Sequence, residues 1–292
     1  MNEQYTNATR GTALITGANN GIGLELTRKM LNEGWQVAAL IRSAFPVNDP
    51  QITEAINNNR LRIYRADLTN FSSLRTALGQ IKAAESKLDL LFNNAGGSFP
   101  ELSYSAQGRE LHFELQTVVP YIITMELKEL LLKGSERTVI NTSSNAILTV
   151  KAFDPALLER PLTFKKLFGP YAVSKLALSL WTEEIAPQLA AEGIMIRSAD
   201  PGGNNTIRKD KNSGLPFYIK PIMKMFFPHP SYGAGLLYNA ALGSHKDKPG
   251  VFLMKNQVSR LKFTGHAPAV LNKVQAIYRQ EFSDISTRSA VL

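Results

Sequence analysis

Short apolar runs recur along the chain, separated by stretches whose apolar residues repeat at helical spacing. Runs such as TALIT, WQVAALI and LDLLF place β-branched or leucine side chains at consecutive positions, the pattern of strands buried on both faces. They predict strands at about 12–16, 35–41, 61–66, 88–92, 136–142, 194–199 and 250–254. Helical stretches fall near 21–33, 70–83, 105–133, 170–191 and 231–243, with a last one near 267–280. Strand alternating with helix almost end to end is the order of a doubly wound parallel sheet of about seven strands with helices on both faces. With 292 residues and neither internal repeat nor low-complexity linker, the chain reads as a single domain spanning 1–292. One stretch, about 205–230, stands outside the alternation: NTIRKDKNSG gives way to LPFYIKPIMKMFFPHP. It reads as a lid over a site at the sheet edge, and its Phe217, Tyr218, Ile219, Ile222, Met223, Met225, Phe226 and Phe227 suit a bulky apolar ligand.

Composition removes several kinds of chemistry. The chain has no cysteine, which excludes disulfides, thiolate catalysis and cysteine-based zinc sites, and its four histidines show no metal-ligand spacing. An excess of 33 Lys and Arg over 24 Asp and Glu gives a net charge of +9. That charge suits an anionic partner such as a multiply phosphorylated cofactor, or is simply a solvated surface. No nucleic-acid motif accompanies it, so no nucleic-acid partner is expected. No run reaches the roughly 18 apolar residues needed for a membrane span. The opening MNEQYTNATR is polar, and a soluble cytoplasmic protein is expected.

The first chemical signal lies between the first strand and the first helix, in Thr16-Gly17-Ala18-Asn19-Asn20-Gly21-Ile22-Gly23. Glycines at a strand-to-helix turn let backbone N–H groups approach a dinucleotide pyrophosphate, which the helix N-terminus favours electrostatically. The second signal is Tyr171-Ala172-Val173-Ser174-Lys175. Residues i and i+4 share a helix face, so phenol and ammonium would meet in one cleft, where the ammonium would favour phenolate and general acid/base work. With nine tyrosines in the chain, about half such a spacing is expected by chance. Its weight comes from Ser143-Ser144 after the fifth strand, whose hydroxyls suit a developing alkoxide. The second strand ends in Arg42-Ser43 where NAD-binding folds place an acid on the ribose 2′-OH. A guanidinium there fits a 2′-phosphate, so NADP(H) is favoured over NAD(H).

TGANNGIG resembles the cofactor motif of the short-chain dehydrogenase/reductase family. The likeness continues through Asp67-Leu68, Asn93-Asn94-Ala95-Gly96, Ser143-Ser144, Tyr171 to Lys175 and Pro201-Gly202, all in family order. It is strongest toward carbonyl reductases and retinol dehydrogenases. The resemblance implies a Rossmann-like fold in which Asp67 meets the adenine edge and Asn93 lines the cofactor cleft. Ala95 and Gly96 would allow close backbone approach, Pro201-Gly202 would border the nicotinamide, and Thr206 would contact its carboxamide. It also implies Ser144 as the catalytic serine, with Ser143 the fallback, Tyr171 as the proton donor and Lys175 on the nicotinamide ribose. Two departures stand out. Gln116 occupies the place of the family asparagine that supports a water chain to the lysine, and the gap from Ser144 to Tyr171 is about twice the usual one, with inserted material at about 150–169.

The expected activity is NADP(H)-dependent hydride transfer between the nicotinamide and a carbonyl or alcohol of an apolar small molecule. The alternative is a catalytically weak NADP(H)-sensing regulator of the same fold. Family members commonly dimerise through the helix bearing YxxxK and the long helix before the fifth strand. Apolar residues Ala156-Leu157-Leu158, Leu162 and Phe164 of the insertion are expected to lie across that surface and favour a monomer over a homodimer. The competing expectation has the insertion over the substrate pocket.

Overall fold

The computed structural model describes residues 10–205 and 225–283. Eight strands form one sheet in the order β3-β2-β1-β4-β5-β6-β7-β8: β1 Thr12–Thr16, β2 Gln36–Ile41, β3 Leu61–Arg65, β4 Leu90–Asn93, β5 Thr138–Thr142, β6 Met195–Asp200, β7 Phe252–Met254 and β8 Gln257–Ser259. β1 pairs in parallel with β2 on one side and β4 on the other. The order therefore reverses between β1 and β4, and ligands of open α/β sheets bind at the carboxyl end of such a switch.

The eighth strand corrects the expected seven. β8 is antiparallel to β7 and follows a tight turn at Lys255 and Asn256, both at positive φ. Such a hairpin usually announces itself with Asn-Gly or Asp-Gly, and Lys-Asn carries a weaker signal. The short helix α2 (Pro50–Asn57) was also not anticipated. Asp49 caps it by accepting from the Ile52 N–H at 3.2 Å and Pro50 stands in the first turn, but only Ile52 and Ala55 are buried, too few to show a period.

Alternate residues of each strand feed two cores. On one face Leu14, Leu40, Leu91, Val139 and Ile196 pack with α3 (Phe71–Ala84), α5 (Val119–Glu126), α7 (Pro170–Ala191) and α9 (Ala267–Ile277). On the other, Ala13, Ile15, Val37, Ala39, Phe92 and Ile140 pack with α1 (Gly21–Asn32), α2 and α8 (Pro230–Leu242). Burial of β1 and β5 on both faces is complete, and in β5 it takes in the polar Thr138, Asn141 and Thr142. Arg197 of β6 is fully buried and donates to the carbonyls of Ala240 and Ala241 at the end of α8. A cation there complements the negative end of the helix dipole.

The long helix expected at 105–133 is broken. It runs as α4 (Leu111–Phe113), a π-helical stretch Glu114–Val118, α5, and α6 (Lys128–Leu132). Single π turns inside helices commonly mark functional positions, and this one holds Gln116.

The insertion reaches the Ser98 loop on one side and the C-terminal segment on the other. The Leu167 N–H donates to the Ser98 Oγ, and the Glu110 N–H to the Glu159 carbonyl, while Phe153 packs against Phe263 and His266. Phe153 and Leu158 are buried, whereas Leu162 is exposed. The helix pair is instead covered by the C-terminal segment. Val270, Val274 and Ile277 of α9 and Phe282 join the core formed by α5 and α7, and Tyr121 stands edge-on to both Trp181 and Tyr278. Buried Arg109 fastens this segment by donating to Glu114 at 2.5 Å and to Glu281 at 2.6 Å.

Candidate active site

The glycine turn has the form that close backbone packing dictates. Gly17 and Gly21 adopt positive φ, and a Cβ on Gly23 would lie 2.1 Å from the Gly17 carbonyl oxygen. Only glycine allows the first turn of α1 to press on the preceding loop in this way. Thr27 ties helix to loop by donating to the carbonyls of Ala18 and Gly23. Thr16 anchors the neighbouring strand, its Oγ1 accepting from the N–H groups of Asn94 and Ala95, both at 2.9 Å. Asn20 is the N-cap of α1 but makes no side-chain cap bond, and no acidic residue stands in the first turn. A pyrophosphate fits this cradle. Ile22 flanks it, packing against the core beneath.

Several expected cofactor residues divide into those that face the cleft edge and those that shape it. Asn19 is buried and donates to the Ser43 and Ala44 carbonyls at 2.7 and 2.9 Å. Its side chain thereby fixes the loop that carries Arg42. Arg42 is exposed and stands 3.9 Å from the Asp67 carboxylate, whose other oxygen accepts from Thr69. The helix cap after it is Asn70 rather than Asp67. Leu68 is buried in the core.

Asn93 is a correction. It is buried, and its amide donates to the Asn141 Oδ1 at 2.9 Å, which in turn leads to Thr182. Its side chain therefore joins β4 to β5 instead of lining the cleft, because strand alternation at the end of β4 turns it inward. Asn94 holds the edge, its amide donating to the Thr16 carbonyl at 3.0 Å. After β6, Gly202 takes φ 74. Asn204, which the sequence reading passed over, donates to the carbonyls of Pro201 and Gly202 and accepts from Gly233 of α8. Thr206 and Phe217, Tyr218, Ile219, Ile222 and Met223 lie outside the described residues. Of the expected lid, Met225 and Phe226 are exposed, and the Phe227 ring occupies the space where a Cβ on Gly203 would come within 2.7 Å.

Ser144, Tyr171 and Lys175 converge at the carboxyl ends of β5 and β6. Ser144 caps the 3₁₀ turn Asn145–Thr149, its Oγ accepting from the Ala146 N–H at 3.2 Å, and its hydroxyl acts to lower the Tyr171 phenol. Ser143 faces away from the site, since its hydroxyl is 2.7 Å from that of Ser179 and is buried against α7. Lys175 is buried one turn beyond Tyr171, its Nζ donating to the Thr142 carbonyl at 2.6 Å.

The electrostatics depart from the expected phenolate–ammonium pair. Burial pushes the Lys175 amine down to about 7, so near neutrality only part of it is charged. Burial also raises the Tyr171 phenol, the Asp200 carboxylate raises it further, and the Ser144 hydroxyl opposes both. In the free protein Tyr171 is thus held as the neutral phenol, a proton donor.

Gln116 is completely buried, with its Oε1 accepting from the Gly97 N–H at 3.3 Å. A Cβ on Gly96 would sit 2.6 Å from that oxygen, so the longer amide uses the space that glycine leaves. The Gln116 Nε2 is buried without a protein acceptor. Beside Tyr171 the wall is aromatic. His112 meets Phe99 at 4.7 Å, Tyr171 at 6.0 Å and Phe164 of the insertion at 6.4 Å between ring centroids. Both His112 nitrogens are engaged, Nδ1 with Glu110 at 2.6 Å and Nε2 with the Phe99 N–H at 2.9 Å, and the ring is buried behind the wall.

A glycine cradle at a topological switch point, with serine, tyrosine and lysine at neighbouring strand ends, defines a nicotinamide-dependent oxidoreductase site. The profile of the short chain dehydrogenase family matches residues 11–156. Retinol dehydrogenase 12 of Mus musculus is 29% identical over 235 residues, covering 78% of this chain and 72% of the relative. The short-chain dehydrogenase/reductase iacJ of Pestalotiopsis fici is 30% identical over 243 residues, covering 76% and 72%. A blue fluorescent protein from a metagenomic library, solved with NADPH, superposes with a TM-score of 0.63 at 22% identity, over 86% of this chain and 98% of that one. The chain belongs to the short-chain dehydrogenase/reductase family. It is an NAD(P)-dependent oxidoreductase acting on alcohol or carbonyl groups. Among the described residues no helix is long and apolar enough to cross a membrane.

Proposed function

We propose that the protein is an NADPH-dependent carbonyl reductase for apolar, flat small molecules. The observation that carries this reading is the placement of Ser144 after β5 with Tyr171 and Lys175 one turn apart at the start of α7, the Lys175 Nζ donating to the Thr142 carbonyl. Bound NADPH supplies the hydride that forms the new C–H bond at the carbonyl carbon. Ser144 donates a hydrogen bond to the carbonyl oxygen, which takes up the C=O electron pair. Tyr171 then gives that oxygen its proton and regains one from solvent. Lys175 holds the nicotinamide ribose, and the partnerless Nε2 of Gln116 stands in for the asparagine of the relay. The partly exposed rings of Phe99 and Phe164 favour a planar apolar substrate through stacking and edge contacts. Reduction of a panel of aromatic and aliphatic carbonyls, followed at the nicotinamide absorbance, tests this; turnover confined to charged, non-planar carbonyls contradicts the pocket assignment.

Preference for NADPH rests on Arg42. Its contact with Asp67 is an exposed pair with side chains 65% and 44% accessible, an arrangement that contributes little and leaves the guanidinium available to a 2′-phosphate. Hydrogen bonds to charged groups contribute about 1.5–3 kcal/mol, so Arg42→Ala is expected to weaken NADPH binding by roughly 10- to 100-fold and leave NADH nearly unchanged. Fluorescence titration of both cofactors checks this. Equal losses for the two would remove Arg42 from cofactor selection.

We also propose a cytoplasmic monomer. The support is α9 and residues 278–283 lying against α5 and α7, the surface that a helix-pair dimer needs bare. Light scattering is expected to give the mass of one chain. A stable dimer joined through α5 and α7 would require the C-terminal segment to leave this face.

A further inference from the structure

The loop that follows β4, residues 94–99, has no strand or helix of its own, yet three consecutive residues in it are held by three different parts of the chain. The Gly97 N–H donates to the Gln116 Oε1 at 3.3 Å, the Ser98 Oγ accepts from the Leu167 N–H of the insertion at 3.2 Å, and the Phe99 N–H donates to the His112 Nε2 at 2.9 Å. A backbone N–H can only donate, so Nε2 keeps its lone pair and the ring proton sits on Nδ1. Glu110 holds it there. Its Oε1 stands 2.6 Å from Nδ1, and its Oε2 accepts from the Phe113 N–H at 2.9 Å. Glu110 and His112 are each 1% exposed. Burying a carboxylate and an imidazole costs stability unless each finds partners, and the bonds that offset this cost also aim Nε2 at the loop.

We propose that His112 is a positioning residue: fixed by Glu110 as a hydrogen-bond acceptor, it holds Phe99 so that this ring sets the preference for planar carbonyls. The inference rests on the reductase reading above. Phe99 is the partly exposed member of the pair, its ring centroid 4.7 Å from that of the buried imidazole, which also stands edge-on to Tyr171 at 6.0 Å. His112 therefore touches both the ring offered to substrate and the phenol that protonates it. Gly96 and Gly97 bring no side chains to pack, so hydrogen bonds fix the course of the loop there. A shift of Phe99 changes the distance from the apolar wall to the reacting carbonyl, which is felt first in substrate binding.

The bond itself is read in the unmodified protein by NMR of the histidine and amide nitrogens. The expected result is a His112 with Nδ1 protonated, Nε2 unprotonated, and a scalar coupling between Nε2 and the Phe99 amide nitrogen; a protonated Nε2 overturns the proposal. Kinetics tests the consequence. His112→Asn places its amide near the Nδ1 position and leaves the Phe99 N–H without an acceptor, whereas His112→Gln reaches the Nε2 position with a carbonyl oxygen. His112→Asn is expected to raise KM for planar carbonyls about tenfold with a smaller change in kcat, the loss of one hydrogen bond, and His112→Gln to recover most of it. Phe99→Ala is expected to abolish the preference for planar over aliphatic carbonyls, and adding His112→Asn to it to have little further effect. Additive losses in the double variant, or equal losses on planar and aliphatic substrates, overturn the proposal. Phe99→Ala, at a partly exposed position, carries the kinetic test if the His112 variants do not fold, and a retained preference for planar carbonyls then overturns it. Absence of Tyr171-dependent turnover, with the NMR result intact, instead overturns the reductase reading.

Discussion

Tyr171→Phe lowers kcat/KM for carbonyl reduction by roughly 100- to 10,000-fold, the range lost with a general acid, while NADPH binds with nearly unchanged affinity. The phenol is the group poised to protonate the nascent alkoxide: it is half-buried, and burial raises it above the ordinary tyrosine range. Phenylalanine keeps the ring and its edge contact with His112 and removes only the oxygen. Steady-state kinetics with a fluorescence titration of NADPH separates the two effects. Substantial turnover in Tyr171→Phe would assign the proton to another group. Joint loss of binding and turnover would make the residue structural.

Lys175→Ala damages both turnover and cofactor affinity, the latter by roughly 10- to 100-fold, the equivalent of one hydrogen bond to a charged group. The amine has one protein acceptor, the Thr142 carbonyl, and burial holds it near 7 in the free protein. A cofactor that accepts from the ammonium raises that value on binding. The sign follows from linkage: affinity is greatest below about pH 7, where the free site is already charged, and declines as pH rises toward the bound value. Titrations across this range are expected to show the decline in the unmodified protein and a flat profile in Lys175→Ala. A flat profile in both would mean the lysine does not meet the cofactor as an ammonium.

The sheet and its glycine turn were legible because long apolar runs and a strand-to-helix turn obey local rules. TALIT and WQVAALI appear as β1 and β2 within a residue of their expected bounds. Ser144 lies just beyond the end of β5, and Tyr171 and Lys175 lie one turn apart at the start of α7, where i, i+4 spacing puts them on one face. What stayed hidden depends on contacts distant in sequence. The covering of α7 by α9 could not be read from the insertion, whose apolar residues indicate burial without indicating against what. Gln116 reads in the sequence as a departure from the family asparagine, while the π turn around it and its fit against Gly96 required the backbone. The Lys175–Tyr171 pairing illustrates a further limit: spacing brings the groups onto one face, while burial decides which of them carries charge.

The most direct test of hydride transfer with Tyr171 as acid is a carbonyl and alcohol panel run with the purified protein and both cofactors, followed at the nicotinamide absorbance. The expected result is NADPH oxidation with planar apolar carbonyls, faster than with NADH and abolished in Tyr171→Phe. Tight NADPH binding without turnover on any carbonyl or alcohol would contradict the account and make the protein a cofactor-sensing member of its family.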